Sequence, residues 1–199
     1  FLEKVDDWNR FNRNTGGTFV EKCCHFFDLM RLATNAEPVR VYASGAQDVN
    51  HLDESYGGEV PDIIDNGFVI VDFDNGARGL LDLCMFAEAS KNEQEISVTG
   101  DAGKIEALVT ESVLRVGRRS DGQHVIRERV ISDENIRHVG LHNVASFLEH
   151  VDFLEAIRSG SPAKVTLVDG MRSVAIGLAA HRSLDLGRPV DMSEVFPNA

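Results

Sequence analysis

Phe68-Val69-Ile70-Val71-Asp72-Phe73 is followed two residues later by Asn75-Gly76 and then by a second apolar stretch at residues 78–86. Asn-Gly between two such stretches is the strongest short signal for a hairpin turn. Strands that are joined by a tight turn run antiparallel. This stretch decides the fold class, because it places an antiparallel hairpin near the middle of the chain.

Strand signals continue on both sides of this hairpin. They occur at residues 38–46 before it and at residues 95–99, 104–109, 113–116 and 125–131 after it. No helical pattern interrupts the run. A doubly wound parallel sheet, whose strands alternate with helices, is therefore excluded.

Helical periodicity appears at the two ends of the chain. Apolar residues recur at spacings of four and three over residues 18–34 and again over residues 144–157. A capping box, Thr166-Leu167-Val168-Asp169, opens a last helix that ends near Gly187. We expect a single α+β domain over residues 1–199. It would hold an open, largely antiparallel sheet of about six to eight strands with helices packed on one face.

The composition limits the classes of function. The 199 residues are 43% hydrophobic, which is enough for one sizeable core, and the formal net charge is 20 − 32 = −12. Such an acidic surface repels phosphate backbones and anionic lipid, so no nucleic acid or membrane partner is expected. No apolar run approaches the roughly 20 residues that cross a bilayer.

The chain has three cysteines, Cys23, Cys24 and Cys84. An odd number with one adjacent pair is a poor disulfide framework and suits a reducing compartment, so we expect a cytoplasmic protein. We expect Cys23 and Cys84 to be buried as small hydrophobic side chains.

A candidate site lies in Gly16-Gly17-Thr18-Phe19-Val20-Glu21-Lys22-Cys23-Cys24-His25-Phe26-Phe27-Asp28. On a helix, Glu21 and His25 share a face, and Asp28 joins them one turn later. Histidine exchanges a proton near neutral pH, and a neighbouring carboxylate stabilises its charged form. We expect Asp28 to brace the helix. The Gly-Gly pair lets another backbone or a flat ligand approach the start of the helix.

The residues alone leave three interpretations of this motif open. In the first, Glu21 and His25 form a proton-exchanging pair. In the second, residues 18–21 are a capping box, His25 is a core residue, and the chain is a non-catalytic assembly module. In the third, Glu21, His25 and Cys24 hold a metal ion in a hydrolase. The third is disfavoured because neighbouring helix positions point about 100° apart and no second pair of ligands follows, so no metal is expected.

The motif resembles the substrate-domain helix of the Gfo/Idh/MocA family, which includes glucose–fructose oxidoreductase and inositol dehydrogenase. The form of that helix is Gly-Gly-x-x-x-Asp-x-Gly-x-His-x-x-Asp; here Glu21 replaces the Asp and Cys23 replaces the later Gly. The similarity covers about residues 8–195. Four further stretches are similar in the same order: Val71-Asp72-Phe73-Asp74-Asn75-Gly76-Ala77-Arg78-Gly79, residues 96–106 with Gly100-Asp101-Ala102-Gly103, Phe153-Leu154-Glu155-Ala156-Ile157-Arg158-Ser159-Gly160, and Ser183-Leu184-Asp185-Leu186-Gly187-Arg188-Pro189-Val190.

The resemblance implies that the chain is the C-terminal, substrate-binding and oligomerisation domain of an NAD- or NADP-dependent oxidoreductase. The N-terminal Rossmann domain of the family would be absent from this chain, which alone would be inactive. The implied reaction is hydride transfer between nicotinamide and a secondary alcohol of a sugar, polyol or inositol-like substrate. His25 would be the proton acid/base and Glu21 its partner. In agreement, no Gly-x-Gly-x-x-Gly follows a strand and opens a helix.

Further contacts with the substrate are expected on both sides of the motif. His138 and His142 precede the penultimate helix, where the family's loop approaches the substrate, and His142 is the candidate. Asn14 and Arg10 lie ahead of the Gly-Gly pair, within reach of a polyol, although solvated lead-in positions are the simpler interpretation.

The Gly16-Gly17 pair is expected to contact the cofactor. The remaining histidines, at positions 51, 124, 150 and 181, are interpreted as surface or core residues.

The two strands of the hairpin carry apolar residues on both of their faces, so the face of the sheet that the helices leave open must also be covered. We therefore expect a homo-oligomer built on that face.

Overall fold

The computed structural model describes residues 5–134, 136, 142 and 144–196. The chain separates into two compact units. The first unit consists of Phe1–Ala87 and Val165–Ala199, and the second of Glu88–Lys164. The sequence predicts a single domain with one sheet, whereas each unit contains its own four-stranded sheet.

The helices, in chain order, are α1 Asn12–Thr15, α2 Thr18–Glu21, α3 Cys24–Thr34, α4 Ala145–Ser159 and α5 Leu167–Leu186. The strands are β1 Pro38–Ala46, β2 Asn66–Phe73, β3 Arg78–Cys84, β4 Gln94–Thr99, β5 Gly103–Val109, β6 Val113–Arg118, β7 Ile126–Val130 and β8 Val190–Asp191. Short 3-10 segments occur at Val5–Arg10, Arg119–Asp121 and Met192–Glu194. The positions of β1 to β7 agree with the sequence prediction to within two residues. β8 is too short to leave a strand signal.

Both sheets are antiparallel, so the predicted α+β class is confirmed. Their strand orders are β3-β2-β1-β8 and β4-β5-β6-β7. β3 and β4 are consecutive in sequence but are edge strands of different sheets, which is why one run of strands forms two sheets. The predicted hairpin joins β2 to β3: Gly76 takes a left-handed φ of +84°, and the Phe73 N–H donates to the Ala77 carbonyl at 3.0 Å.

The inner face of the β3-β2-β1-β8 sheet packs against α2, α3 and α5, as predicted for helices on one face. Each large apolar side chain that is fully buried there contributes about 1.5–3 kcal/mol. The largest fully buried apolar residues of this core are Phe19, Phe27, Val41, Val69, Val71, Ile176 and Val190. The candidate motif and α5 therefore lie on the same side of the sheet.

The cysteines divide between core and surface. Cys23 is fully buried, as predicted, and burial raises the pKa of its thiol to about 12. The predicted burial of Cys84 is wrong. Cys84 is the last residue of β3, and its side chain lies on the exposed face of that strand with those of Leu80 and Asp82.

The single helix predicted over residues 18–34 is wrong, because the chain breaks it after Glu21. At Cys23 the backbone takes φ −114° and ψ −6°, outside the regular helical values. The Cys23 side chain is fixed in the core, so packing overrides local helical propensity. Glu21 and His25 consequently flank a break instead of sharing one regular helix face.

Arg31 is a buried cation that ties α3 to two other parts of the first unit. Its Nε and Nη2 donate to the Glu37 carboxylate at 3.1 and 3.0 Å, ahead of β1. Its Nη1 donates to Asp28 at 3.1 Å, and its Nη2 donates to Asp169 of α5 at 3.3 Å. The hydrogen bonds to Glu37 hold the pKa of Arg31 above its ordinary value.

The predicted capping box at the start of α5 is confirmed. The Asp169 N–H donates to Thr166 Oγ1 at 3.2 Å, and the Thr166 N–H donates to the Asp169 carboxylate at 2.9 Å. Hydrogen bonds from Thr166, and then from Arg31, lower the pKa of Asp169 to about 2. Of the helices in the described ranges, none is both long enough and apolar enough to cross a membrane.

We expect Arg31→Met to lower the free energy of unfolding by about 2–3 kcal/mol, measured by urea denaturation. Removing one partner of a buried pair costs about 3–5 kcal/mol, and the partial exposure of the three carboxylates reduces that cost. Arg13→Met is the matched control, because Arg13 and its partner Glu59 are 56% and 58% exposed. That control should cost less than about 1 kcal/mol. Equal losses in the two variants would contradict a structural role for the buried arginine.

Candidate active site

The motif segment begins at a left-handed turn. Gly16 and Gly17 have backbone φ angles of +79° and +94°, which residues with a side chain rarely adopt. A Cβ on Gly17 would fall on the imidazole of His181, which belongs to α5. The close approach expected at the Gly-Gly pair therefore occurs, but the approaching group is a side chain of the same chain. Gly16 is exposed, and contact of the pair with a cofactor stays a prediction.

His181 satisfies a backbone donor at the start of α2. Its Nε2 accepts the Phe19 N–H at 3.1 Å, and the two rings lie 5.1 Å apart between centroids. The first N–H groups of a helix have no partner within the helix. Gly17, the N-cap, has no side chain to supply one. Burial lowers the pKa of His181, while the carboxylates of Asp185 and Asp62 act in the opposite direction.

The interpretation of residues 18–21 as a capping box is wrong. The N-cap of α2 is Gly17, so Thr18 lies one position inside the helix. Its hydroxyl donates instead to the Ile64 carbonyl at 2.6 Å. The Glu21 carboxylate lies 3.2 Å from Lys22 Nζ, just before the break.

His25 is exposed in the first turn of α3. Its ring lies against that of Phe26, with centroids 4.0 Å apart and planes tilted by 44°. The interpretation of His25 as a core residue is therefore wrong, and its role in proton exchange stays a prediction. Asp28 accepts hydrogen bonds from Arg31 and, at 3.2 Å, from Ser173 of α5, so its bracing role is confirmed.

The segment ahead of the motif packs on the loop between β1 and β2. Arg10 is 3% exposed, and its Nε donates to Glu54 at 3.1 Å. The expectation that Arg10 is solvated is therefore wrong, because an ion pair compensates its burial. Asn14 is exposed, and its Nδ2 donates to the Trp8 carbonyl at 2.8 Å. These contacts do not test whether Arg10 or Asn14 binds a substrate.

His142 belongs to the second unit, whereas Arg10, Asn14 and His25 belong to the first. It is exposed, has a left-handed φ of +67°, and its carbonyl accepts the Ala145 N–H at 3.0 Å. His138 lies outside the described residues. Contact of His142 with a substrate stays a prediction.

Sequence reasoning missed the residues of α5 that hold the motif. A Cβ on Gly177 would lie 2.7 Å from the Phe19 carbonyl oxygen, so its absence allows α2 to touch α5. Asp169, Ser173, Gly177 and His181 follow one another at intervals of four and share one helix face. A row of polar and small residues at intervals of four along a helix is the signal that identifies this contact face.

Across the described ranges, with their gaps at 135, 137–141 and 143, no group of three or more His, Cys, Asp or Glu side chains is placed to hold a metal ion. The set proposed for a hydrolase, Glu21, His25 and Cys24, is therefore not assembled as a metal centre. The Glu21–His25 segment remains as the candidate site.

Comparison with known proteins gives a family match. The model of the Gfo/Idh/MocA oxidoreductase family, C-terminal alpha/beta domain, matches residues 1–192. The myo-inositol 2-dehydrogenase of Thermotoga maritima is 30% identical over 186 residues, which are 92% of this chain and 52% of that protein. The scyllo-inositol 2-dehydrogenase (NAD(+)) of Bacillus subtilis is 28% identical over 189 residues, 92% of this chain and 49% of that protein. The chain thus spans about half the length of these curated relatives.

Solved structures share the fold. Levoglucosan dehydrogenase in complex with NADH and levoglucosan has a TM-score of 0.78 at 21% identity, covering 93% of this chain and 53% of that one. An oxidoreductase domain protein from Kribbella flavida has a TM-score of 0.76 at 16% identity, covering 91% of this chain and 53% of that one. Because the family model matches residues 1–192, the chain belongs to the Gfo/Idh/MocA oxidoreductase family and corresponds to its C-terminal alpha/beta domain.

Proposed function

We propose that this chain is the substrate-binding and oligomerisation part of an NAD- or NADP-dependent oxidoreductase. Its reaction transfers a hydride between nicotinamide and a secondary alcohol of a sugar, polyol or inositol-like substrate. The observation that carries the proposal is the exposed His25 imidazole beside the helix break that follows Glu21, at the position of the family's motif. Relatives named as inositol dehydrogenases support the class of substrate.

His25 supplies the proton exchange that this reaction requires. An alcohol carbon that loses a hydride becomes a carbonyl only when the hydroxyl proton also leaves. An imidazole with an ordinary pKa of about 6.5 accepts that proton during oxidation and returns it during reduction. Nicotinamide, when bound, accepts or supplies the hydride.

Glu21 is the proposed partner of His25. A carboxylate near the ring favours the imidazolium form that exists once the proton has been taken. Glu21 stands where the family motif has Asp, and the helix breaks between it and His25. Cys23, which replaces the family's Gly, has a negative φ and a buried side chain, so a residue larger than Gly causes no backbone strain there.

The dinucleotide is proposed to bind mainly to a Rossmann domain elsewhere in the parent protein. Such binding uses a glycine-rich turn between a parallel strand and a helix. The strand pairs of the described residues are all antiparallel, and they offer no turn of this kind. Asn14 and His142, both exposed, remain proposed substrate contacts. Arg10, whose Nε donates to Glu54, is the third proposed substrate contact.

The exposed face of the first sheet supports self-association. Tyr42, Ile70 and Leu80 form one cross-strand row on this face and are 41%, 44% and 63% exposed. Phe68, two residues before Ile70 on β2, is 53% exposed. An apolar patch on a sheet face is typical of a protein interface, so we propose that two copies pair through it.

We expect His25→Ala in the full-length parent to lower kcat by about 10²–10⁴-fold, the usual size of a general acid–base contribution. The measurement is NAD or NADP reduction with myo-inositol and scyllo-inositol as probes. His150→Ala is the matched control, because His150 is an exposed histidine on α4. An unchanged rate in His25→Ala would remove His25 from the mechanism.

The 199-residue chain alone is expected to show no turnover and only weak affinity for nicotinamide cofactors, because the part of it that the structure describes offers no dinucleotide-binding turn. Isothermal titration with NAD and with NADP measures this directly. Micromolar binding of either cofactor to the isolated chain would show that the cofactor site has been assigned to the wrong part of the protein.

We expect Ile70→Glu to shift the protein from oligomer to monomer in sedimentation velocity at micromolar concentration, since a charge at the centre of the apolar face cannot be buried unpaired. Leu32→Glu is the control, because Leu32 is 75% exposed on α3, away from this face. Wild-type protein that sediments as a monomer, or an Ile70→Glu variant that remains oligomeric, would contradict the proposed interface.

A further inference from the structure

We propose that His181 is a positioning residue of the His25 site: its neutral imidazole caps α2 through Nε2 and thereby fixes the segment from Gly17 to His25. This inference rests on the proposed function. It concerns a side chain of α5 that follows the motif by more than 150 residues, since His181 and Phe19 are 162 positions apart.

The cap assigns a definite proton arrangement to His181. A neutral imidazole has one donor nitrogen and one acceptor nitrogen. Because Nε2 accepts the Phe19 N–H at 3.1 Å, the ring proton must be on Nδ1. The arrangement replaces the capping side chain that the N-cap Gly17 lacks, and Gly17 in turn leaves the space that the ring occupies.

The cap acts on a helix that cannot form alone. α2 has only four residues, and isolated helices shorter than about 12 residues are marginal in water. Its position therefore depends on contacts with α5: the His181 cap at its start and the approach of the Phe19 carbonyl to Gly177. The Glu21 N–H closes the helix by donating to the Gly17 carbonyl at 2.9 Å. A shift at Gly17 is consequently passed to Glu21 and to the break before His25.

Protonation removes the cap. A proton on Nε2 would place a second donor against the Phe19 N–H, and the hydrogen bond would be lost. The charged groups that face the ring are Asp185, one turn further along α5, and Asp62 in the loop before β2. Both favour the charged ring, but burial outweighs them, so the pKa of His181 lies below 6.5. The cap is therefore complete at neutral pH and is lost on the acid side as the pH falls through that lowered pKa.

Two histidines then control the acid side of the activity profile. His25 must be neutral to accept a proton, and His181 must be neutral to hold α2. The two protonations together make log kcat/KM fall with a slope steeper than one over the pH range in which the cap is lost, whereas His25 alone gives a slope of one. A histidine that merely fills space would not produce the second ionisation.

The test compares three forms of the full-length parent with myo-inositol and NAD as probes. His181→Gln retains an acceptor near the position of Nε2 but does not titrate, whereas His181→Phe retains a ring and loses the acceptor. We expect His181→Phe to lower kcat by about 10–100-fold, since misplacement of a catalytic group by about 1 Å costs about 100-fold. His181→Gln should recover most of that loss at neutral pH, and its acid-side slope should nowhere exceed one.

A second measurement does not depend on activity. Nitrogen chemical shifts of ¹⁵N-histidine-labelled protein report the tautomer of His181, with His181→Gln used to assign its signals. A proton on Nδ1 at neutral pH is expected. This measurement also applies if His181→Phe fails to fold.

The outcomes separate this inference from the proposed function. A ring protonated on Nε2 at neutral pH, or the same acid-side slope in wild type and His181→Gln, would overturn the role of His181 with the proposed function intact. An unchanged rate in His25→Ala would instead refute the proposed function, whatever the tautomer of His181.

Discussion

One face of α5 determines where the candidate site lies. Asp169, Ser173, Gly177 and His181 recur every four residues along this helix and therefore form a single stripe. The stripe contacts the motif segment in antiparallel order. Asp169 contacts Arg31 and Ser173 contacts Asp28. Further along α5, Gly177 lies against the Phe19 carbonyl and His181 accepts the Phe19 N–H. α2 and α3 are too short to hold their relative positions alone, so His25 has a defined place only because α5 contacts the segment on both sides of the break.

Features that depend on neighbouring residues were predictable from the sequence, and features that depend on distant ones were not. The hairpin at Asn75-Gly76 and the Thr166 capping box are local, so their signals are complete in the chain itself. The break at Cys23 arises from burial in a core built by β1, β2 and α5, which no local pattern contains. The capping box predicted at Thr18 is wrong for a similar reason. Gly17 takes a left-handed φ next to His181, and the N-cap of α2 is therefore Gly17, one residue closer to the N-terminus than predicted.

The candidate site shows the same division. His25 and Glu21, the proposed pair, could be singled out from the sequence because they lie in one short motif. His181 was assigned to surface or core because its partner is remote in sequence. The Gly-Gly pair was correctly interpreted as a place of close approach, yet a backbone turn of this kind does not specify what approaches it. A flat imidazole from the same chain and a flat ligand require the same missing Cβ.

The two faces of the first sheet have separate proposed roles, and α5 is bonded to the sheet that carries both. Ser183, half a turn after His181, accepts the Ala43 N–H of β1 at 3.0 Å, so the helix that positions the motif is also bonded to the sheet. The motif lies on the inner face with α5, whereas Tyr42, Ile70 and Leu80 lie on the outer face. Association through the outer face would therefore leave His25 uncovered. Assembly and proton exchange can thus use one sheet without competing for the same surface.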